Sequence, residues 1–149
     1  MRRLFPLFLL ISLAVAGIAS GQDTVPDLRG VGLLGLGSSG GCTGTLIEPD
    51  LVLTAAHCLY SSDKKRNLKA TDFLFHPTTA TGRPGEGFRG KVMAVHPVYL
   101  IPGLDYHKRI PRDIGLLRLE KPVPAELATP FAIGGAEMFQ DKGFIMAYR

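Results

Sequence analysis

The sequence predicts an all-β protein built as an antiparallel sandwich or barrel. Short apolar runs recur along the chain, with Gly-, Pro- or Asp-containing turns between them. A single short segment offers a helix signal, and the sequence carries no heptad pattern and no internal repeat. The composition supports a packed fold. Hydrophobic residues make up 46% of the 149 positions against a formal net charge of +4, which excludes charge-driven disorder. The 18 glycines and 11 prolines stay below the ~25–30% typical of low-complexity chains.

The elements follow in order. Residues 31–36 form an apolar run, and Gly37-Ser38-Ser39-Gly40-Gly41 is a turn signal. Residues 43–47 are a second strand, Glu48-Pro49-Asp50 a turn, and residues 51–53 a third strand. Thr54 is placed to cap one helical turn over 55–58, because its hydroxyl can accept an orphan backbone N–H. Residues 61–72 are polar and read as a surface loop, which includes the basic run Lys64-Lys65-Arg66. Residues 72–75 and 90–95 are further strands joined by a Gly/Pro/Thr-rich turn. Residues 99–112 are irregular, 114–119 are a strand, and 121–130 carry three prolines and read as an extended connector. Residues 143–148 are a last apolar strand and, if unpaired, an aggregation hazard.

The N-terminus reads as a leader. Arg2 and Arg3 precede 16 largely apolar residues at 4–19, and small residues at Gly17, Ala19 and Gly21 suit cleavage after Ala19 or Gly21. This run is shorter than the ~20 residues of a membrane span. Residues 1–21 are therefore expected to be a signal peptide, with the mature chain secreted or periplasmic and not held in the membrane. Loss of Arg2 and Arg3 lowers the net charge from +4 to +2, which gives no case for a nucleic-acid partner. Export permits a disulfide between Cys42 and Cys58, worth ~3 kcal/mol for such a loop, although two unpaired buried thiols are also compatible with the sequence.

Two cysteines exclude a four-cysteine zinc site, and 61–72 has too few acidic groups for a calcium loop. His76 and His96 each precede a proline at the end of an apolar run, where an imidazole can satisfy a backbone carbonyl. His107 lies in a basic loop. The histidines have no close pair at strand or helix spacing, so no metal and no cofactor is expected.

His57 stands in a distinctive setting. Gly41-Cys42-Thr43-Gly44-Thr45-Leu46-Ile47 is followed by Leu51-Val52-Leu53-Thr54-Ala55-Ala56-His57-Cys58. Downstream come Val95-His96-Pro97-Val98-Tyr99 and Asp113-Ile114-Gly115-Leu116-Leu117-Arg118-Leu119. Together these resemble the trypsin/chymotrypsin-like serine proteases (peptidase family S1) over roughly residues 27–149. The resemblance implies a chymotrypsin-like antiparallel β-barrel: a first barrel at 27–121, then a connector and the first strand of an incomplete second barrel at 122–149. It implies His57 as general base and acid, and Asp113 as the carboxylate that fixes its tautomer. It also supports the Cys42–Cys58 bridge, which would pin the turn bearing His57, and it implies protein or peptide substrates.

Asp105 is the competing acid, without an apolar strand behind it. The family order places a nucleophilic serine after the aspartate, yet the last serine of the sequence is Ser62. Ser39 sits in a sequence that echoes Gly-Asp-Ser-Gly-Gly but lacks the aspartate and precedes Cys42. The expected function is therefore that of a serine endopeptidase whose nucleophile this chain lacks, so the chain as given is expected to be inactive. The alternative is a secreted, non-catalytic relative that binds a partner. Two further departures are the absence of Arg-Ile-Val-Gly-Gly near 25–31 and Gly115 in place of the customary alanine, which is expected to loosen its strand.

Overall fold

The computed structural model describes residues 27–37, 40–61 and 66–134. The expected leader, Ser39, Lys64 and Lys65, and the expected last strand lie outside the described residues. Six strands form a closed antiparallel barrel: β1 (Val31–Leu36), β2 (Gly41–Glu48), β3 (Leu51–Thr54), β6 (Phe73–Pro77), β7 (Phe88–Val95) and β8 (Gly115–Leu119). Their order around the barrel is β1-β2-β3-β8-β7-β6, and β6 closes onto β1 with Leu34 opposite Phe75. Each predicted strand in this span is present. Of the two architectures that the pattern allowed, the barrel is the one formed.

Period-two alternation explains the inside of the barrel. Phe73, Phe75 and Pro77 are buried in β6, and Gly115, Leu117 and Leu119 in β8. Leu34, Leu46 and Val52 complete the centre. β7 is mostly exposed and bulges between Gly90 and Val92. The turn joining β1 to β2 needs left-handed backbone, supplied by Gly37 at φ 53° and Gly40 at φ 94°.

Two expectations need correction. The polar stretch 61–72 is not a plain loop. A small hairpin pairs β4 (Tyr60–Ser61) with β5 (Arg66–Asn67), and a 3-10 turn at Ala70–Asp72 leads into β6. The irregular stretch 99–112 is largely helical, with 3-10 turns at Pro97–Leu100 and Ile110–Arg112 flanking α2 (Tyr106–Arg109). The proline-rich connector forms no strand or helix and packs against the barrel. Val123 donates its N–H to the Pro49 carbonyl at 2.7 Å, and Phe131 donates to Leu46 at 2.8 Å. Val123 and Ala128 are thereby buried in the same core cluster as the strands. Proline lacks an N–H for a ladder, so this segment packs by side chains and a few selected carbonyls instead.

Two arginine clamps close the surface. Arg118 of β8 donates to Asp50 Oδ1 at 2.6 Å and Glu48 Oε2 at 3.2 Å, reinforcing the contact of β8 with the β2–β3 turn. Arg29 donates to both Asp27 oxygens and, through Nη1, to the Glu126 carbonyl at 2.9 Å, tying the start of the barrel to the connector. The Arg29 hydrogen bonds hold the Asp27 carboxyl down to about 2.

Candidate active site

β3 ends at Thr54, and the chain turns directly into α1 (Ala56–Leu59), which carries His57. β8 pairs with β3 so that Thr54 faces Gly115. That register sets Asp113, two residues before β8, beside α1. The Asp113 carboxylate then holds His57 with both oxygens. Oδ2 lies 2.6 Å from His57 Nδ1, and Oδ1 accepts the His57 backbone N–H at 2.9 Å. Against an ionised carboxylate, which only accepts, Nδ1 is the donor, and in the neutral imidazole that tautomer leaves the lone pair on Nε2. The imidazole side chain is 60% exposed and the carboxylate 27%. The imidazole is therefore open to solvent while its partner is more sheltered.

The helical turn at His57 is present, but Thr54 does not cap it. The Thr54 hydroxyl donates to the Thr43 carbonyl at 2.9 Å, and Ala55 occupies the N-cap with no side-chain acceptor. Asp113 takes the orphan amide of His57 in its place, so the group that orients the imidazole also caps the turn that carries it.

A disulfide joins Cys42 of β2 to Cys58 of α1, with Cα atoms 6.2 Å apart. It anchors the residue next to His57 to the barrel wall. Sulfur atoms of this pair and a His57 ring nitrogen all lie within 4.8 Å of one another. Both sulfurs are consumed in the bond, so they offer no thiolate to a metal.

Gly115 acts against the expectation of a loosened strand. It is buried, and a Cβ built on it would stand 2.8 Å from Leu59 Cδ1 and 3.2 Å from the Ala55 carbonyl oxygen. Glycine thus lets α1 settle close against β8. Leu59 is fully buried and has little room to swing aside. Gly115→Ala is expected to destabilise the chain by about 1 kcal/mol through overpacking, measured by urea unfolding. A gain in stability would show that the contact relaxes freely.

A cleft of about 390 Å³ opens beside the pair, lined by His57, Tyr99, Tyr106, Arg109, Ile110 and Asp113. Tyr99 is fixed by the Arg109 guanidinium, 5.4 Å over its ring, and by the edge of Tyr60 at 6.4 Å. Burial, and then the Asp113 charge, push the Tyr99 hydroxyl above its ordinary range. Tyr106 and Arg109 were not singled out from the sequence. Their one signal was an aromatic and basic run immediately before Asp113.

The remaining candidates fall away from the cleft. Asp105 accepts the His107 N–H at 2.9 Å and caps α2, which is a local structural duty. His76 Nδ1 lies 2.9 Å from the Gly85 carbonyl, as its position before proline suggested. His96 departs from that expectation. Its Nδ1 accepts the Val98 N–H at 3.2 Å and caps the 3-10 turn. His107 is exposed, with its ring edge-on to Tyr106. Among the described residues, no helix is long and apolar enough to cross a membrane.

The barrel, the bridged helical turn and the carboxylate-held imidazole agree with the segment order read from the sequence. The protein-family model for trypsin matches residues 20–146, most of the chain, and on that match the chain belongs to the trypsin family.

Proposed function

We propose that this chain carries the histidine–aspartate half of the catalytic site of an exported serine endopeptidase. One observation carries the reading: Asp113 grips His57 through both Nδ1 and the backbone amide, at 2.6 and 2.9 Å. In this reading His57 Nε2 takes the proton of an attacking hydroxyl and later returns it to the leaving amine. Asp113 keeps the tautomer fixed and stabilises the imidazolium formed in between. Protein or peptide chains are the substrates. Export is supported by the Cys42–Cys58 bridge, which suits an oxidising compartment, and by the leader-like residues 1–21.

The nucleophile is the missing part. No serine follows Ser62, so the family order of histidine, aspartate and serine is not completed within these 149 residues. Loss of the nucleophile from such a triad costs about 10⁶ in kcat. The purified 149-residue chain is therefore expected neither to label with a serine-directed phosphonate nor to hydrolyse casein. Stoichiometric labelling would overturn this part of the reading.

A second reading, a secreted, non-catalytic relative that binds a partner, would hold for a protein without a serine nucleophile. Sequencing the transcript through and beyond the Arg149 codon separates the two. A frame leading to Gly-Asp-Ser-Gly-Gly supports the endopeptidase. A stop codon, matched by the intact mass of the native protein, supports the binding protein.

A further inference from the structure

We propose that Arg109 makes the cleft beside His57 a receptor for acidic peptide segments, with a glutamate or aspartate side chain of the bound peptide set against its guanidinium. The inference rests on the reading of this cleft as a site for peptide chains.

Two arginines of the barrel are held by carboxylates, whereas Arg89 and Arg112 donate to carbonyls. Arg29 pairs with Asp27, and Arg118 pairs with Asp50 and Glu48. Arg109 pairs with no carboxylate among the described residues. Its Nη2 donates to the Ile101 carbonyl at 3.3 Å, a neutral partner, and its Nε is buried with no hydrogen-bond partner. Asp113 is the one carboxylate in the lining of the cleft, and both of its oxygens are engaged by His57. The cleft therefore holds a half-buried cation that makes no ion pair and has a buried Nε without a hydrogen-bond partner, an arrangement that favours an incoming anion.

The guanidinium is also held in place. It lies over the Tyr99 ring at 5.4 Å and is tethered at Ile101, so little side-chain freedom remains to be lost when a ligand binds. A planar, fixed guanidinium is well suited to a carboxylate, through charge-assisted hydrogen bonds. The surroundings suit a peptide rather than a small inorganic anion. Tyr106 is 70% exposed and Ile110 51% exposed, and both line the same cleft, offering apolar surface to the flanking residues of a chain. Lys108 and Arg112 flank Arg109 in the sequence and add positive charge on the same helical segment. The Arg112 guanidinium donates to the Lys108 carbonyl. Asp105, the acidic residue of that segment, is occupied as the cap of α2.

The test uses the ¹⁵N-labelled 149-residue chain and hexapeptides of alanine and glutamine in which one glutamate is walked through the six positions. At the best position, the glutamate peptide is expected to bind about tenfold more tightly than its all-glutamine counterpart, with shifts centred on Arg109, Tyr99 and His57. Added salt should erode that preference. Arg109→Gln should abolish the preference for the glutamate peptide over the glutamine peptide, and Arg109→Lys should keep part of it. The amide spectrum shows directly that each variant is folded. Equal binding of glutamate and glutamine peptides, binding of neither, or a preference that survives in Arg109→Gln would each overturn the proposal. Failure here is distinct from failure of the catalytic reading. An acid preference in a chain whose native form ends at Arg149 would retain this inference and overturn proteolysis. Equal binding, with an in-frame nucleophile motif, would do the reverse.

Discussion

Phe75→Ala is expected to remove about 4–5 kcal/mol of stability, the upper part of the ~3–5 kcal/mol range for loss of a buried phenylalanine. The side chain is fully buried at the centre of the barrel. What surrounds it explains the size of the effect. The ring lies against bare backbone on two strands. A Cβ built on Gly32 would come within 2.7 Å of Phe75 Cε2, and one built on Gly44 within 3.2 Å. Those walls have no side chains that could fold into the space left by the ring, so the cavity stays open. Domains of this size are stable by only ~5–15 kcal/mol, and the variant would stand close to unfolding at ambient temperature. Urea unfolding followed by circular dichroism measures the loss. A cost below about 1.5 kcal/mol would mean that β1 and β2 collapse inward, contrary to the closed register of the barrel.

The second large effect comes from the bridge. Cys42→Ala/Cys58→Ala is expected to cost about 3 kcal/mol, from the chain freedom restored to the unfolded state by opening a loop of 16 positions. The consequence for the site is more specific than the loss of stability. α1 is a single turn of four residues with an alanine at its N-cap. Without the bridge its ties include the Asp113 contacts, the Leu68 N–H donated to the Leu59 carbonyl and the packing of Ala56 and Leu59. Amide exchange is expected to accelerate most at 56–59, ahead of the barrel strands, when the double variant is compared with the oxidised chain. Uniform acceleration over all strands would show instead that the bridge stabilises the barrel as a whole and not the turn at His57.

Much of the fold was legible because strand patterns are local. The runs at β1, β2, β3, β6, β7 and β8 are short, turn residues separate them, and β6 and β8 alternate strictly between core and outer face. The His57 and Asp113 segments were legible through short, specific motifs. The features that escaped the sequence reading are those decided at long range. Thr54 has the chemistry of a cap, but the Thr43 carbonyl on the neighbouring strand claims its hydroxyl, and a carboxylate from a distant segment caps the turn. The 121–130 stretch reads as an extended connector because its prolines break local pattern. Its packing on the barrel involves the Pro49 carbonyl in the β2–β3 turn, a long-range partner that accepts from Val123. α2 spans only four residues, too short to show a helical period. The grip of Arg109 on Tyr99 joins residues whose pairing no spacing rule announces.

The pairing of β3 with β8 bears on how the molecule comes to exist as well as on what it holds in place. His57 and Asp113 lie 56 positions apart, and the contact between them is made where those two strands meet. Strand pairs of such wide separation carry the largest loop-closure entropy and dominate the folding barrier of closed β topologies. The imidazole–carboxylate contact is therefore a late event on the folding path. A nascent chain that has formed β1, β2 and β3 still presents His57 without Asp113, and the imidazole–carboxylate pair forms only when β8 joins β3.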